Sequence, residues 1–132
     1  MITREADYCI RTILYLAQPE NRDRSVSMTE LAESMYIPYR FLRKIVNRMV
    51  GGGVLESQRG RNGGLKLTRA PERISLLDVL RLTDSKGVLL NSCLDGNEFC
   101  PRQGCCRVHQ EIGKLQSLLQ ERLQTITFDQ LV

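Results

Sequence analysis

Between Tyr39 and Val50 the sequence sorts a helical wheel into two halves of opposite chemistry. At about 100° per residue, Phe41, Leu42, Ile45, Val46, Met49 and Val50 fall on one contiguous half, and Arg40, Arg43, Lys44, Asn47 and Arg48 fall on the other. Such sorting requires an α-helix packed along one side. Solvated helix faces usually mix the two signs of charge, but this one has no acid. From Tyr39 to Arg69 there are eight basic residues (Arg40, Arg43, Lys44, Arg48, Arg59, Arg61, Lys66, Arg69) and a single acid, Glu56. The segment is built to meet a polyanion.

The flanking elements follow from capping and breaking residues. Thr3 is placed to cap a first helix to about Ala17, with Ala6, Cys9, Ile10, Ile13, Leu14 and Ala17 on one apolar face. Ser27 with Glu30 forms a capping-box pattern for a short second helix, which Tyr36-Ile37-Pro38 breaks; Pro38 suits the first turn of the next helix. Gly51-Gly52-Gly53 ends that third helix, and Val54 to Arg59 and Leu65 to Thr68 read as two strands around a basic, glycine-rich tip, Gly60-Arg61-Asn62-Gly63-Gly64. A nucleotide phosphate loop is the competing reading there, and the absence of a Lys-Ser/Thr pair and of a helix after the glycines argues against it. Ser75 with Asp78 caps a fourth helix, Leu76 to about Thr83. From Cys106 a long helix is expected, with Val108, Ile112, Leu115 and Leu119 joined by Leu118 and Leu123 as a seam for another helix, where docking on the chain's own domain competes with the favoured pairing to a second copy, and with Thr127 and Gln130 capping a last turn.

The expected fold is mainly α with a small β-hairpin: a winged helix-turn-helix followed by a long C-terminal dimerisation helix. Three segments divide it: a DNA-binding domain over 1–86, a cysteine-rich loop over 87–106, and the dimerisation helix with its closing turn over 107–132. No apolar run approaches the roughly 20 residues of a membrane span, and acidic Glu5 and Asp7 stand where a secretion signal needs an apolar core. The expectation is a cytoplasmic protein without a membrane role. One histidine and no paired-acid or nucleophile motif argue against an enzyme and against a small-molecule substrate.

In a reducing compartment an odd count of five cysteines is not a disulfide framework. Cys93, Cys100, Cys105 and Cys106 lie within fourteen residues, on a stretch carrying Gly96, Pro101 and Gly104 and little apolar content. Thiolates on such a loop suit an iron–sulfur cluster. Structural zinc competes, although knuckle spacing is found only between Cys105 or Cys106 and His109; inert thiols are the third reading. Cys9, on the apolar face of the first helix, reads as a small core residue.

Helix, helix-turn-helix and basic hairpin is the winged helix-turn-helix order, whose second motif helix enters the major groove. The segments Asp7-Tyr8, Tyr39-Arg40-Phe41-Leu42-Arg43-Lys44-Ile45, Arg59-Gly60-Arg61-Asn62-Gly63-Gly64-Leu65, Ile74-Ser75-Leu76-Leu77-Asp78-Val79 and Ile126-Thr127-Phe128-Asp129-Gln130-Leu131-Val132 together resemble the IscR/NsrR-type iron–sulfur winged-helix transcription regulators, over essentially the whole chain. The resemblance implies a homodimer on a near-palindromic double-stranded DNA operator. It also implies a 2Fe–2S or 4Fe–4S cluster on Cys93, Cys100 and Cys106, with Cys105 an alternative third thiolate. Two candidates exist for the remaining ligand: His109, matching the histidine of IscR-type sites, and Asp7, matching the carboxylate of nitric-oxide-sensing relatives. Arg43 stands where IscR-like proteins often carry an acid, so the preferred operator need not be theirs.

On the DNA side, Arg40, Arg43 and Asn47 are expected to face base edges and Lys44 and Arg48 to lie nearer the phosphates, because Arg and Asn suit bidentate contacts to guanine and adenine, with Tyr39 a further DNA-binding candidate. Arg59, Arg61 and Asn62 at the hairpin tip form a second contact. The functional expectation is a cluster-dependent repressor sensing iron–sulfur status. The alternatives are an NsrR-like nitric-oxide sensor and a cluster-free regulator answering to a partner protein or to thiol oxidation.

Overall fold

The Thr3 hydroxyl accepts the Ala6 N–H at 3.2 Å and opens α1 (Arg4–Ala17), the central helix of the molecule. The computed structural model describes residues 2–132. Ala6, Cys9, Thr12, Ile13, Leu16 and Ala17 form the buried stripe of α1, whereas Ile10 and Leu14 are only half-buried at its border. The stripe is thus rotated toward Thr12 and Leu16. Thr12 tolerates full burial because its hydroxyl donates to the Tyr8 carbonyl at 2.9 Å.

Ser27 caps α2 (Met28–Ser34) by accepting the Glu30 N–H at 3.1 Å. The reciprocal half of the expected capping box does not form. The Glu30 carboxylate instead takes the Tyr15 hydroxyl at 2.8 Å and the Arg24 guanidinium, two donors that hold the loop before α2 against α1. At the other end, the Ile37 N–H bonds the Ala32 carbonyl at 2.9 Å and the Tyr36 N–H bonds that of Glu33 at 3.4 Å, the paired bonds of a Schellman turn. That turn requires a left-handed residue at position 36, and Tyr36 adopts φ 53° there. A tyrosine in this conformation costs roughly 1–2 kcal/mol relative to the right-handed region. The turn buries Ile37 and delivers Pro38 to the head of α3 (Tyr39–Gly51).

Leu42, Ile45, Val46 and Met49 are buried on α3, while Phe41 and Val50 remain at the margin. The packed stripe is therefore narrower than half the wheel. After Gly51-Gly52-Gly53 the chain forms a hairpin, β1 (Leu55–Gln58) antiparallel to β2 (Gly64–Leu67), with Leu55 opposite Leu67 and Gln58 opposite Gly64. Val26 extends this sheet through a bridge to Leu65, bonded in both directions at 3.0 and 2.7 Å. Gly64 permits that approach, since a Cβ there would sit 2.6 Å from the Val26 carbonyl oxygen.

Ser75 and Asp78 complete a true capping box on α4 (Leu76–Thr83), at 3.0 and 3.1 Å. A long α5 (Arg107–Thr125) then returns along α4. Its seam divides between two edges. Ile112, Leu119 and Leu123 are half-buried against the chain's own elements, with Gln116 buried between them, whereas Val108, Leu115 and Leu118 stay more than half exposed. The closing turn rejoins the first core: Phe128 N–H bonds the Ile74 carbonyl at 3.0 Å, Leu76 N–H bonds that of Ile126 at 2.9 Å, and the Phe128 ring is fully buried in the cluster around α1. Thr127 does not cap that turn as expected; its hydroxyl is engaged by Asp129 and by Gln130 instead. Among the described residues no helix is long and apolar enough to cross a membrane.

Candidate nucleic-acid interface and cysteine loop

The acid-free half of α3 points to solvent. Arg40, Arg43, Lys44 and Asn47 are exposed, as is Tyr39 at the first position of the helix. Among the described residues the ion pairs engage Arg11, Arg22, Arg24, Lys44, Arg48, Lys86 and Lys114, leaving Arg40, Arg43, Arg59 and Arg61 outside every pair. Arg40 lies over the Phe41 ring at 4.9 Å, a contact that orients the guanidinium without neutralising it. At the hairpin tip, residues 59–63 join the strands, and Arg59, Arg61 and Asn62 are all exposed. Gly60, at φ 114°, gives the tip a turn that no side chain readily allows.

Lys44 and Arg48 differ from the other cations. Arg48 Nη1 lies 3.1 Å from Glu5 Oε1 and donates to the Thr83 carbonyl at 3.4 Å, while Lys44 Nζ stands 3.8 Å from the same carboxylate oxygen. Glu5 Oε1 is sealed from solvent and its alignment completes no hydrogen bond, so the contact is one of charge. These two cations of α3 thus have an internal counter-ion supplied by α1. No charge pattern in the sequence pointed to Glu5, because only the fold brings residue 5 against residue 48.

The cysteine loop is gathered at the head of α5. The Cys106 sulfur caps that helix by accepting the His109 N–H at 3.4 Å, and His109 Nδ1 lies 3.4 Å from the Cys93 sulfur. Cys93 sits in a single 3-10 turn, Ser92–Leu94, whose Cys93 N–H donates to the Asn91 side chain at 3.3 Å. Cys100 is half-buried in a turn closed by Gln103 N–H at 3.0 Å, and exposed Cys105 donates to the Arg102 carbonyl at 3.5 Å. Asp7 is on α1, paired with Arg11 at 2.7 Å. Among the described residues no three His, Cys, Asp or Glu side chains stand close enough to hold one metal ion. The donor set nevertheless fits an iron–sulfur cluster in chemistry: three half-exposed thiols and an imidazole on one short stretch, two of the sulfurs already against His109.

Gln116, which sequence periodicity gave no role, ties this loop to α5. Its amide donates to the Val88 carbonyl at 2.7 Å and accepts the Leu90 N–H at 2.9 Å, satisfying backbone groups just ahead of the cysteines. The only available sign was a polar residue between Ile112 and Leu119 in an otherwise apolar seam. Cys9 belongs to a different environment. Burial pushes its thiol up to about 12, with the Glu5 charge adding to the shift and Arg48 opposing it. It is a core residue.

A family model described as Rrf2, iron-dependent transcriptional regulator, matches residues 2–132. The HTH-type transcriptional repressor NsrR of Streptomyces coelicolor is 29% identical over 131 residues, covering 99% of this chain and 87% of the relative. Among solved structures, CymR, the global cysteine regulator of B. subtilis, superposes with a TM-score of 0.76 at 19% identity over 99% of this chain and 95% of its own. IscR of T. potens does so with a TM-score of 0.74 at 23% identity, over 99% and 85%. These two structural matches carry the winged-helix fold.

Proposed function

The chain belongs to the Rrf2 family of iron-dependent transcriptional regulators, and on that premise we propose that it is a homodimeric repressor whose hold on its operator answers to an iron–sulfur cluster on the cysteine loop. The observation that carries the DNA-reading part is the exposed, acid-free face of α3, whose Arg40 and Arg43 stand outside every ion pair among the described residues. With α3 in the major groove, Arg40, Arg43 and Asn47 reach base edges, and Tyr39 and Lys44 lie toward the phosphates. Arg48 reaches a phosphate only by leaving Glu5 and the Thr83 carbonyl. The hairpin tip sets Arg59 toward the minor groove, with Arg61 and Asn62 on the backbone. Val108, Leu115 and Leu118, the edge of α5 left open by its own chain, meet the same edge of a second copy.

Cys93, Cys100, Cys106 and His109 are the residues that would hold the cluster, with Cys105 and Asp7 the alternative donors. A bound cluster supplies iron–thiolate bonds that are lost on oxidation, on attack by nitric oxide or on iron withdrawal. The chain's own residues carry the consequence toward DNA. Cys93 and Cys106 fix His109 at the head of α5, Gln116 fixes α5 to the segment 88–90, and the Thr83 carbonyl at the end of α4 touches Arg48 on α3. A change at the loop thus bears on contacts that lead to the recognition helix.

A second reading, a cluster-free regulator responding to thiol oxidation or to a partner, is favoured by the lack of a gathered three-donor set among the described residues. Anaerobic purification separates the two. The proposal expects a coloured protein with iron and sulfide in equal amounts that retains specific fragments from a random duplex library. A colourless protein that retains such fragments contradicts the cluster and leaves the second reading or structural zinc, which a metal count separates, and a protein that retains none contradicts both.

A further inference from the structure

Tyr36 is the one described non-glycine residue with a positive φ. The Schellman turn that ends α2 imposes this conformation, and glycine is the residue that meets it without steric cost. A tyrosine there needs a reason. Packing does not provide one, since the side chain is 86% exposed. Local hydrogen bonding does not either, because the stabilising side chains at such a position are the short amides and carboxylates, which bond back to the main chain, and the phenol oxygen is too far from its own backbone to do so.

Its location is informative. Residue 36 is the turn of the helix-turn-helix, three positions ahead of half-exposed Tyr39 and four ahead of Arg40, so an exposed phenol is carried just before the helix that bears the unpaired cations. We propose that Tyr36 is a DNA contact, its hydroxyl donating to a phosphate oxygen at the edge of the half-site. The inference rests on the reading of α3 as the recognition helix. Backbone strain is then retained because the left-handed turn holds a long neutral donor clear of the fold, at the point where the duplex backbone passes the helix start.

The test compares Tyr36→Gly and Tyr36→Phe with the unaltered protein, using a duplex selected from a random library by that protein. Thermal melting and affinity at several salt concentrations are the readouts. Tyr36→Gly should melt a few degrees higher, because the strained position is relieved, yet bind both the selected duplex and random duplex about tenfold more weakly. The slope of log affinity against log salt should not change, since a neutral hydroxyl releases no counter-ion. Tyr36→Phe should melt as the parent does and lose as much affinity as the glycine variant. Parental affinity in Tyr36→Gly overturns the contact, and parental affinity in Tyr36→Phe overturns the hydroxyl's role. Failure of the unaltered protein to select any duplex overturns the recognition-helix reading, and this inference with it.

Discussion

Single residues in this chain are set apart by the partner each is given. Glu30 has two donors, Arg24 foremost and Tyr15 after it, and its carboxyl is held below the usual carboxylate range. A depressed folded-state value stabilises above the unfolded carboxylate range, and that contribution disappears as pH falls through the folded value. Glu30→Gln should therefore lose stability at neutral pH and approach the parent in acid, with the difference kept small by the pair's partial exposure; a melting series from pH 7 to 3 checks it. Cys9, with its thiol near 12, remains protonated at pH 8. A short iodoacetamide pulse followed by peptide mass mapping should label exposed Cys105 and leave Cys9 unmodified until the protein unfolds. The role of Cys9 was legible from its place on an apolar face. The Glu30 pairing was not, because the sequence showed a capping-box spacing and could not show that Tyr15, fifteen residues earlier, competes for the same carboxylate.

At the scale of elements, the hairpin and α5 carry separable predictions. Replacing Arg59 and Arg61 together with alanine should flatten the dependence of log affinity on log salt by up to about two units, measured by fluorescence anisotropy. An unchanged slope would mean the tip does not touch DNA. Leu115→Glu should convert a dimer to a monomer in light scattering, since the side chain is more than half exposed within one chain and lies beside Leu118 on the open edge. Periodicity located α1, α3 and α4 closely because each has one apolar face or a clear cap. On α5 it found the seam but not its division, since two adjacent apolar edges, one against α4 and one open, give a single broad stripe in sequence. Tyr36 escaped notice for a related reason: the sequence marked the helix break, but a left-handed tyrosine is visible only in the backbone.

For the whole molecule, the closing turn shows how the two ends depend on each other. Phe128 is buried against α1 and joined to Ile74 through its backbone, so Phe128→Ala should cost about 3–5 kcal/mol in a denaturant titration and loosen the α4–α5 connection along with the core. The sequence shows only a closing turn capped from Thr127 to Gln130, because Ile126, Phe128, Leu131 and Val132 make too short a run to display a periodicity that would mark Phe128 as core. The same global packing seats α3 with Leu42, Ile45, Val46 and Met49 inward and turns Arg40, Arg43 and Asn47 outward, and the account rests on those outward residues reading bases. The most direct measurement is the affinity of the parent and of Arg43→Ala for the selected duplex and for random duplex at one salt concentration. Base reading by Arg43 requires the variant to lose about 1–3 kcal/mol on the selected duplex and much less on random DNA, so that discrimination narrows. Equal losses on both would contradict it, reducing Arg43 to one more phosphate contact.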